Sequence, residues 1–317
     1  MAVILKLDGV SKSFARVETN DVTTALAEIT LEMQSGQFIS LVGTSGCGKS
    51  TMLRLIAGLI QPTTGRLTVN DKEIIGTSSA RGMMFQQHTL FPWLTVEKNI
   101  LFSDRMQGRH KDKASIDEVN RMLEVIGLDD FRKDYPAQLS GGMQQRVMIS
   151  MALACEPSLL IADEPTTALD VTIQNQILRL LSELNQKLGM AILLITHDLS
   201  VMAQICHSVR VMYLGQIVEE AKTEELFDNP MHPYTQGLLD CIPHLDVDRE
   251  KPLHVITGTV PPLSQIPVGC HFCTRCPYAT EQCRSSEPPA VETAPGHKVK
   301  CWNPRVGNEK KREESAI

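Results

Sequence analysis

A glycine-rich segment near the start of the chain carries the residues best suited to chemistry. It runs Gly43-Thr44-Ser45-Gly46-Cys47-Gly48-Lys49-Ser50 and follows the apolar run Phe38–Val42. Small residues let backbone N–H groups converge on phosphate oxygens at the start of a helix. The segment therefore predicts a strand, a phosphate-binding loop and a helix, in which Lys49 contacts the β- and γ-phosphates and Ser50 ligates Mg²⁺. The predicted nucleotide contacts come from Gly43, Ser45, Gly46, Gly48, Lys49, Ser50 and Thr51.

Two adjacent acids, Asp163 and Glu164, end the apolar run Leu159-Leu160-Ile161-Ala162. A buried strand of this kind carries its last residues from the interior of a sheet to the edge where ligands bind. We expect Asp163 to hold the Mg²⁺ shell and Glu164 to polarise the attacking water. Taken alone, the pair could equally be an acidic loop without a catalytic role.

A Ser-Gly-Gly element, Leu139-Ser140-Gly141-Gly142-Met143-Gln144, lies shortly before these acids. The phosphate loop, this element and the acid pair, each present once and in this order, resemble the ABC ATPases. That resemblance implies an α/β fold of the P-loop NTPase class with a mainly parallel core sheet, an antiparallel β subdomain and a helical subdomain. It also implies a dimer, because in that family Ser140, Gly141 and Gly142 would close over ATP held by a second subunit.

Further residues match the family's shorter motifs. Gln86 corresponds to the Q-loop glutamine that reaches Mg²⁺ and the attacking water, although Gln87 leaves the register open by one residue. His197 corresponds to the switch histidine at the γ-phosphate, and Asp170 belongs to the D-loop at the dimer interface. Phe14 lies where the family has a ring that stacks on adenine, with a core phenylalanine as the alternative.

The two halves of the chain resemble different importer groups. Gly43–Lys49 and Phe91-Pro92-Trp93-Leu94-Thr95-Val96 resemble ATPases of nitrate, sulfonate and taurine importers. From Gln138 onward the resemblance is to oligopeptide and dipeptide importers, for example at His232-Pro233-Tyr234-Thr235. Peptide import is therefore the first hypothesis, a nitrate-, sulfonate- or taurine-type importer the second, and an ABC ATPase without a transport role the third.

Five cysteines are clustered in the last part of the chain: Cys270, Cys273, Cys276, Cys283 and Cys301. The cluster resembles the C-terminal extension of peptide-importer ATPases, in which counterparts of Cys270, Cys276, Cys283 and Cys301 can hold a [4Fe–4S] cluster. Four thiolates can also bind Zn²⁺, and reduced thiols without a metal are the third alternative. His271 and His297 nearby are expected to be structural.

Composition and charge limit the possible functions. The chain has 317 residues, 42% hydrophobic and 21% charged, and a net charge of -6, which argues against a nucleic-acid-binding surface. No apolar run reaches the about 20 residues needed to span a bilayer, and the first residues do not resemble a signal peptide. We expect a peripheral protein at the cytoplasmic face of the membrane. Its expected partners are two permease subunits, a second ATPase subunit and, indirectly, a substrate-binding protein.

Helical periodicity predicts a helix from Ser115, with Glu118 completing a capping box and Gly127 ending it. A longer helix is predicted from Val171 to Leu188, followed by a strand from Ala191 to Ile195. Prolines become frequent near residue 230. We therefore divide the chain into an ATP-binding domain (1–235), an irregular cysteine-rich extension (236–304) and a charged tail (305–317).

Overall fold

The computed structural model of the protein describes residues 2–15, 22–86, 89–167, 169–242 and 255–304. The strands in these ranges are β1 (Val3–Ala15), β2 (Val22–Gln34), β3 (Phe38–Val42), β4 (Thr64–Val69), β5 (Lys72–Glu73), β6 (Arg81–Met84), β7 (Leu159–Asp163), β8 (Ala191–Ile195), β9 (Ser208–Tyr213), β10 (Gln216–Lys222), β11 (Val291–Ala294) and β12 (His297–Val299). The α-helices are α1 (Lys49–Ala57), α2 (Val96–Ile100), α3 (Phe102–Met106), α4 (Lys113–Ile126), α5 (Gly141–Leu153), α6 (Val171–Leu188), α7 (Leu199–Ile205), α8 (Thr223–Asp228), α9 (Pro233–Asp240) and α10 (Glu281–Ser285). Short 3₁₀ helices cover Asp129–Phe131, Pro136–Gln138 and Leu263–Gln265.

An eight-stranded sheet forms the centre of the molecule, in the order β11-β12-β10-β9-β3-β8-β7-β6. Strands β9, β3, β8, β7 and β6 are parallel, and β10, β12 and β11 extend the sheet with antiparallel pairings. All residues of β3 and β8 are buried, as expected for apolar strands covered on both faces. The carboxyl ends of the parallel strands therefore meet at one edge, where the phosphate loop, Asp163 and the segment after β8 come together.

A smaller antiparallel sheet, in the order β2-β1-β4-β5, packs beside α1 and one face of β3. Side chains of β3 alternate between two cores: Ile39 and Leu41 belong to the core shared with the small sheet, while Phe38 and Val42 belong to the core on the other face. Helices α2 to α5 lie between β6 and β7 in the chain. The predicted combination of a mainly parallel core, an antiparallel sheet and a helical part is confirmed.

The helix predicted from Ser115 is present, but its start is different. Helix α4 begins at Lys113 with Asp112 in the N-cap position, and Ser115 is buried inside the helix. The predicted capping box at Ser115 is therefore wrong, because Ser115 is buried and the helix begins two residues before it. Its end at Gly127 is confirmed, since this glycine adopts a left-handed conformation (φ 65°). The predicted helix Val171–Leu188 and strand Ala191–Ile195 are both observed.

The C-terminal region is joined to the central sheet. Strand β12 pairs with β10, and α9 continues through the predicted domain boundary at residue 235. The division into 1–235 and 236–304 stays a prediction, and the predicted tail 305–317 lies outside the described residues. Across the described ranges, none of the helices is both long enough and apolar enough to traverse a bilayer.

Candidate nucleotide-binding site

The phosphate loop connects β3 to α1 and needs glycine at two positions. A Cβ atom on Gly43 would lie 2.2 Å from the carbonyl oxygen of Met212. Gly48 has a φ of 106°, and a Cβ there would lie 2.6 Å from a methyl carbon of Leu26. Larger residues would push the loop away from the sheet. The glycines therefore allow the backbone of the loop to lie close to β9 and β2.

The side chain of Lys49 bends back onto the phosphate loop and forms hydrogen bonds with its backbone. Its Nζ atom donates hydrogen bonds to the carbonyl oxygens of Gly43 at 2.7 Å and of Thr44 at 3.0 Å. The side chain is only 9% exposed. The ammonium group is thus held at the start of α1, where it can exchange these carbonyls for phosphate oxygens.

A cleft of about 730 Å³ opens beside the loop and is large enough for a nucleotide. The predicted residues that line it are Phe14, Gly43, Ser45, Gly46, Gly48, Lys49, Ser50, Thr51, Gln86, Asp163, Glu164 and His197. These residues come from five separate parts of the chain. The fold therefore brings together the phosphate loop, the acid pair, the Q-loop residue and the switch histidine at one site.

Glu164 lies at the centre of a small hydrogen-bond network. Its carboxylate accepts hydrogen bonds from Gln86 Nε2 and from Thr167 Oγ1, both at 3.0 Å. His197 Nδ1 lies 3.7 Å from Glu164 Oε1, and the Glu164 N–H donates to the carbonyl of Ile195 at 3.0 Å. The carboxylate is thereby fixed next to the two side chains that were predicted to assist it.

Asp163 ends β7 directly beside the phosphate loop. Burial raises the pKa of its carboxyl group, and the neighbouring Glu164 raises it further, while Lys49 and Arg54 partly oppose the shift. A cation next to the carboxylate would favour its charged form. We therefore expect that a metal ion bound beside Asp163 would stabilise the charged form of its carboxyl group.

The ring of Phe14 lies at the surface of the cleft. It is 43% exposed, which excludes the alternative of a core phenylalanine. The Nζ atom of Lys12 lies 5.2 Å from the ring centroid, within the range of a cation–π contact. The exposed ring face can stack on a planar base, as the sequence predicted, and that role stays a prediction.

The predicted dimer residues stand outside this cleft. Ser140 caps α5 by accepting a hydrogen bond from the Met143 N–H, and Asp170 caps α6 by accepting one from Ile173. A Cβ on Gly142 would lie 2.5 Å from Ile173 Cγ2, so glycine is needed where the two helix starts meet. Ser140, Gly141 and Asp170 are exposed, whereas Gly142 is buried, and the contact of these four residues with a second molecule stays a prediction. Ala168 of the D-loop lies outside the described residues.

Sequence reasoning missed several residues of the cleft: Thr23, Ala25, Ile195 and Leu263. Leu263 is notable because it comes from the C-terminal region. The adjoining residues Val260 to Ser264 border the same loop near Ser45 and Gly46. A single leucine in a proline-rich segment could not be predicted to lie here, because it reaches the cleft only when the C-terminal region folds back onto the ATPase core.

The five clustered cysteines line one small cavity of about 10 Å³. This is room for about one water molecule. Burial raises the pKa of Cys270 and Cys276 to about 11 and that of Cys301 to about 12, so these thiols are protonated. Over the described ranges, no three His, Cys, Asp or Glu side chains are arranged to hold a metal ion. The residue types suit a metal, but the arrangement fits neither a [4Fe–4S] cluster nor Zn²⁺ unless the thiols move.

Two family models match the chain. Residues 26–167 match the ABC transporter family, and residues 218–283 match the C-terminal region of oligopeptide/dipeptide transporters. The first match contains the phosphate loop, the Ser-Gly-Gly element and the acid pair. The second contains Tyr234 and the first four clustered cysteines.

Curated proteins and solved structures agree with these matches. A probable peptide ABC transporter ATP-binding protein of Sinorhizobium fredii is 41% identical over 89% of this chain and 90% of its own length. The dipeptide transport ATP-binding protein DppD of Escherichia coli is 43% identical over 88% of this chain and 91% of its own. The dimeric ATP-binding cassette MJ0796, in a post-hydrolysis state with ADP and Pi, is 31% identical with a TM-score of 0.60, over 69% of this chain and 99% of that chain. CbiO1 from Clostridium perfringens is 27% identical with a TM-score of 0.63, over 72% of this chain and 92% of that chain.

Proposed function

Because this chain belongs to the ATP-binding subunits of ABC transporters, we propose that it hydrolyses ATP to drive an importer of oligopeptides or dipeptides. The cleft that unites Lys49, Asp163, Glu164, Gln86 and His197 is the observation that carries the ATPase activity. The relatives named above, which are matched along most of their length, support the peptide substrate.

Each residue of the cleft has a distinct task in hydrolysis. Lys49 moves from the loop carbonyls to the β- and γ-phosphates, where its charge offsets the negative charge of the transition state. Glu164 accepts the proton of the attacking water, and Gln86, already bonded to Glu164, orients that water. His197, which is 70% exposed beside Glu164, can reach the γ-phosphate from the sheet edge.

Ser50, Asp163 and Gln86 supply the oxygen donors for Mg²⁺. Hydroxyl, carboxylate and amide oxygens are the ligands that this ion prefers, together with water and phosphate. All three side chains line the cleft beside the loop. Bound there, Mg²⁺ would neutralise charge on the β- and γ-phosphates.

A second ATPase subunit completes the site. Ser140 and Gly141 are exposed at the start of α5, where free N–H groups and the helix dipole favour an anion, and Gly142 is buried behind them. They do not line the cleft of their own chain. We therefore assign them, with Asp170, to ATP held by a second copy or by a related subunit.

The permease partners are expected to dock near the Q-loop. An exposed aromatic side chain, Trp93 (70% exposed), projects from a short loop beside Phe91. Buried Asn99 fixes this loop through four hydrogen bonds to the backbone of Phe91, Leu94 and Thr95. A rigidly held exposed aromatic residue is typical of an interface. The chain would then sit peripherally at the cytoplasmic face of the membrane, with a substrate-binding protein acting on the permease.

The alternative importer group and the transport-independent ATPase are less well supported. The peptide-transporter relatives match both halves of the chain, so the nitrate- and taurine-like residues of the first half do not set it apart from them. The C-terminal match is to a region of peptide transporters as well.

Reconstitution in vesicles tests the proposal. The chain should co-purify with a permease encoded beside it and hydrolyse ATP in the assembled complex. Vesicles should accumulate a labelled dipeptide only when ATP and the binding protein are present. Uptake of taurine or nitrate instead of peptide would contradict the substrate, and full activity without any membrane partner would contradict the importer.

The metal assignment of the cysteines remains a separate hypothesis. It is supported by the convergence of Cys270, Cys276, Cys283 and Cys301 on one cavity. Anaerobically purified protein should contain four iron and four sulfide per chain if the cluster is present, or one zinc if Zn²⁺ is. Cys276→Ser should remove the brown colour or the zinc. A colourless, metal-free wild-type protein would leave the thiols as reduced structural residues.

A further inference from the structure

We infer that the Tyr234 hydroxyl positions the phosphate loop from behind the nucleotide site. Tyr234 Oη accepts a hydrogen bond of 3.1 Å from the backbone N–H of Thr44, although the two residues are 190 positions apart. Thr44 is the second residue of the loop. The inference rests on the proposed ATPase function, because it concerns how that same site is held in shape.

The bond acts on a peptide unit that is held from both sides. The peptide between Gly43 and Thr44 contributes the Gly43 carbonyl, which accepts from Lys49 Nζ at 2.7 Å, and the Thr44 N–H, which donates to Tyr234. A trans peptide is planar, so these two bonds together fix its orientation. When Lys49 turns to the phosphates of ATP, it leaves the carbonyl. Tyr234 is then the partner that continues to hold this plane.

Tyr234 is itself held in one position. Its ring is fully buried, and its N–H donates to Nδ1 of His232, the N-cap residue of α9. The backbone N–H groups of Met231 and His232 donate to the buried carboxylate of Glu219 at 2.7 and 3.0 Å. The start of α9 is thereby tied to β10, which lies in the central sheet next to β9. A rigid support of this kind is what a positioning residue requires.

The cysteine-rich region packs against Tyr234. The ring centroid of Phe272 lies 5.3 Å from that of Tyr234 and 5.2 Å from that of Tyr213. Phe272 stands between Cys270 and Cys273 and lines the same small cavity. The cysteine cavity, Phe272, Tyr234 and Thr44 thus form one continuous set of contacts that ends at the phosphate loop.

The Tyr234→Phe variant tests the inference because it removes only the hydroxyl and keeps the ring. The loss of one hydrogen bond with a buried N–H left unpaired should weaken the binding of ATP, ADP and inorganic tripolyphosphate by about threefold to tenfold. All three should be affected equally, because the bond acts on the phosphate cradle. The KM for ATP should rise by the same factor, with a smaller change in kcat.

Tyr213→Phe is the matched control. Tyr213 belongs to the same buried aromatic cluster, and its hydroxyl lies near Arg275 rather than at the phosphate loop. This variant should bind all three ligands within twofold of wild type. Equal weakening by both variants, or no weakening by Tyr234→Phe, would overturn the inference. A wild-type chain that does not bind ATP would instead refute the proposed function.

The contribution of Phe272 is tested by a double-mutant cycle. Phe272→Leu should weaken ATP binding in the wild-type background and have a smaller effect when Tyr234 is already Phe. Equal effects in both backgrounds would mean that Phe272 does not act through the Tyr234 hydroxyl. Thermal unfolding of each variant shows that the measured binding comes from folded protein.

Discussion

At the scale of single residues, Glu164 combines strain with a complete set of partners. It adopts a φ of 45°, which is unusual for a residue other than glycine and costs about 1–3 kcal/mol. In this conformation its carboxylate accepts hydrogen bonds from the side chains of Gln86 and Thr167. A strained residue held by several neighbours at a cleft is typical of a catalytic position.

Glu164→Gln should abolish turnover and preserve ATP binding. The amide oxygen can still accept from Gln86 and Thr167, so the local geometry survives, but the group no longer accepts a proton from water. We expect hydrolysis to fall by about 10²- to 10⁴-fold, with ATP-bound dimers accumulating in size-exclusion chromatography.

Glu183→Gln is the control for the loss of one acidic charge, since Glu183 is exposed on α6 and pairs only with Lys187 in the described structure. It should hydrolyse ATP at the wild-type rate. Wild-type hydrolysis by Glu164→Gln would exclude Glu164 as the base.

The residues that the sequence predicted share one property: each lies within a short motif whose order along the chain is fixed. Gln86, Asp163 and His197 lie at or just after the ends of strands of one parallel sheet, and that sheet brings these strand ends together. Tyr234 and Leu263 could not be predicted in this way. Their contacts depend on how α9 and the following segment fold back, which no local pattern encodes.

At the scale of secondary-structure elements, the ends of helix α4 could also be predicted only in part. The end of α4 was predictable because a left-handed glycine is a strong local signal. Its start was not, because Asp112 and Ser115 are both good N-cap residues. Burial decided between them: Ser115 faces the core of the helical part, so the helix had to begin before it.

The segment around the 3₁₀ helix Leu263–Gln265 is an element with a predicted effect on the nucleotide. Leu263 lines the cleft, as does Phe14, and both offer apolar surface. Leu263→Ala should weaken ATP binding by about threefold to tenfold, through loss of apolar contact with the base or ribose. Equilibrium titration with a fluorescent ATP analogue measures this change in affinity.

Two comparisons make this test specific. Inorganic tripolyphosphate should bind Leu263→Ala as it binds wild type, because it has no base or ribose. Ile266→Ala, in the same segment but away from the cleft lining, should leave ATP affinity unchanged. Weaker tripolyphosphate binding would indicate that Leu263 supports the phosphate loop instead.

At the scale of the whole molecule, the surface proposed to dock the permease is separate from the ATP cleft. Trp93 projects from a loop of the helical part, apart from the residues of the cleft. Trp93→Glu should leave ATP affinity unchanged and reduce co-purification with the permease by at least about tenfold, since buried aromatic residues often carry much of the binding energy of an interface. Lys98→Glu, on the adjacent α2, is a control for the added negative charge. Undiminished permease binding by Trp93→Glu would exclude this loop as the docking site.

The C-terminal region is attached to the ATPase core through a buried ion pair. His297 Nε2 lies 2.7 Å from Glu219 Oε1 in the buried contact between β12 and β10, and His297 Nδ1 lies 3.4 Å from Glu225. Burial lowers the pKa of His297, but the hydrogen bonds and charges of Glu219 and Glu225 outweigh it, so the net pKa is raised above 6.5. Glu219 also anchors the start of α9. The same carboxylate therefore links the C-terminal strands to the support of the phosphate loop.

This pair makes the attachment depend on pH in a defined direction. A raised folded-state pKa means that the stabilisation is complete below the unfolded value of about 6.5 and is lost as the pH rises through the folded value. His297→Gln keeps a hydrogen-bond donor but cannot be charged. Near pH 6 its free energy of unfolding should be about 2 kcal/mol lower than that of wild type. This difference in the free energy of unfolding should become smaller towards pH 8.5. Lys298→Gln, which replaces an exposed side chain on the same strand, should differ from wild type in thermal unfolding by an amount that stays constant with pH. A gap for His297→Gln that stayed constant or widened with pH would mean that His297 is neutral in the folded protein, and that the extension is held by packing and strand pairing alone.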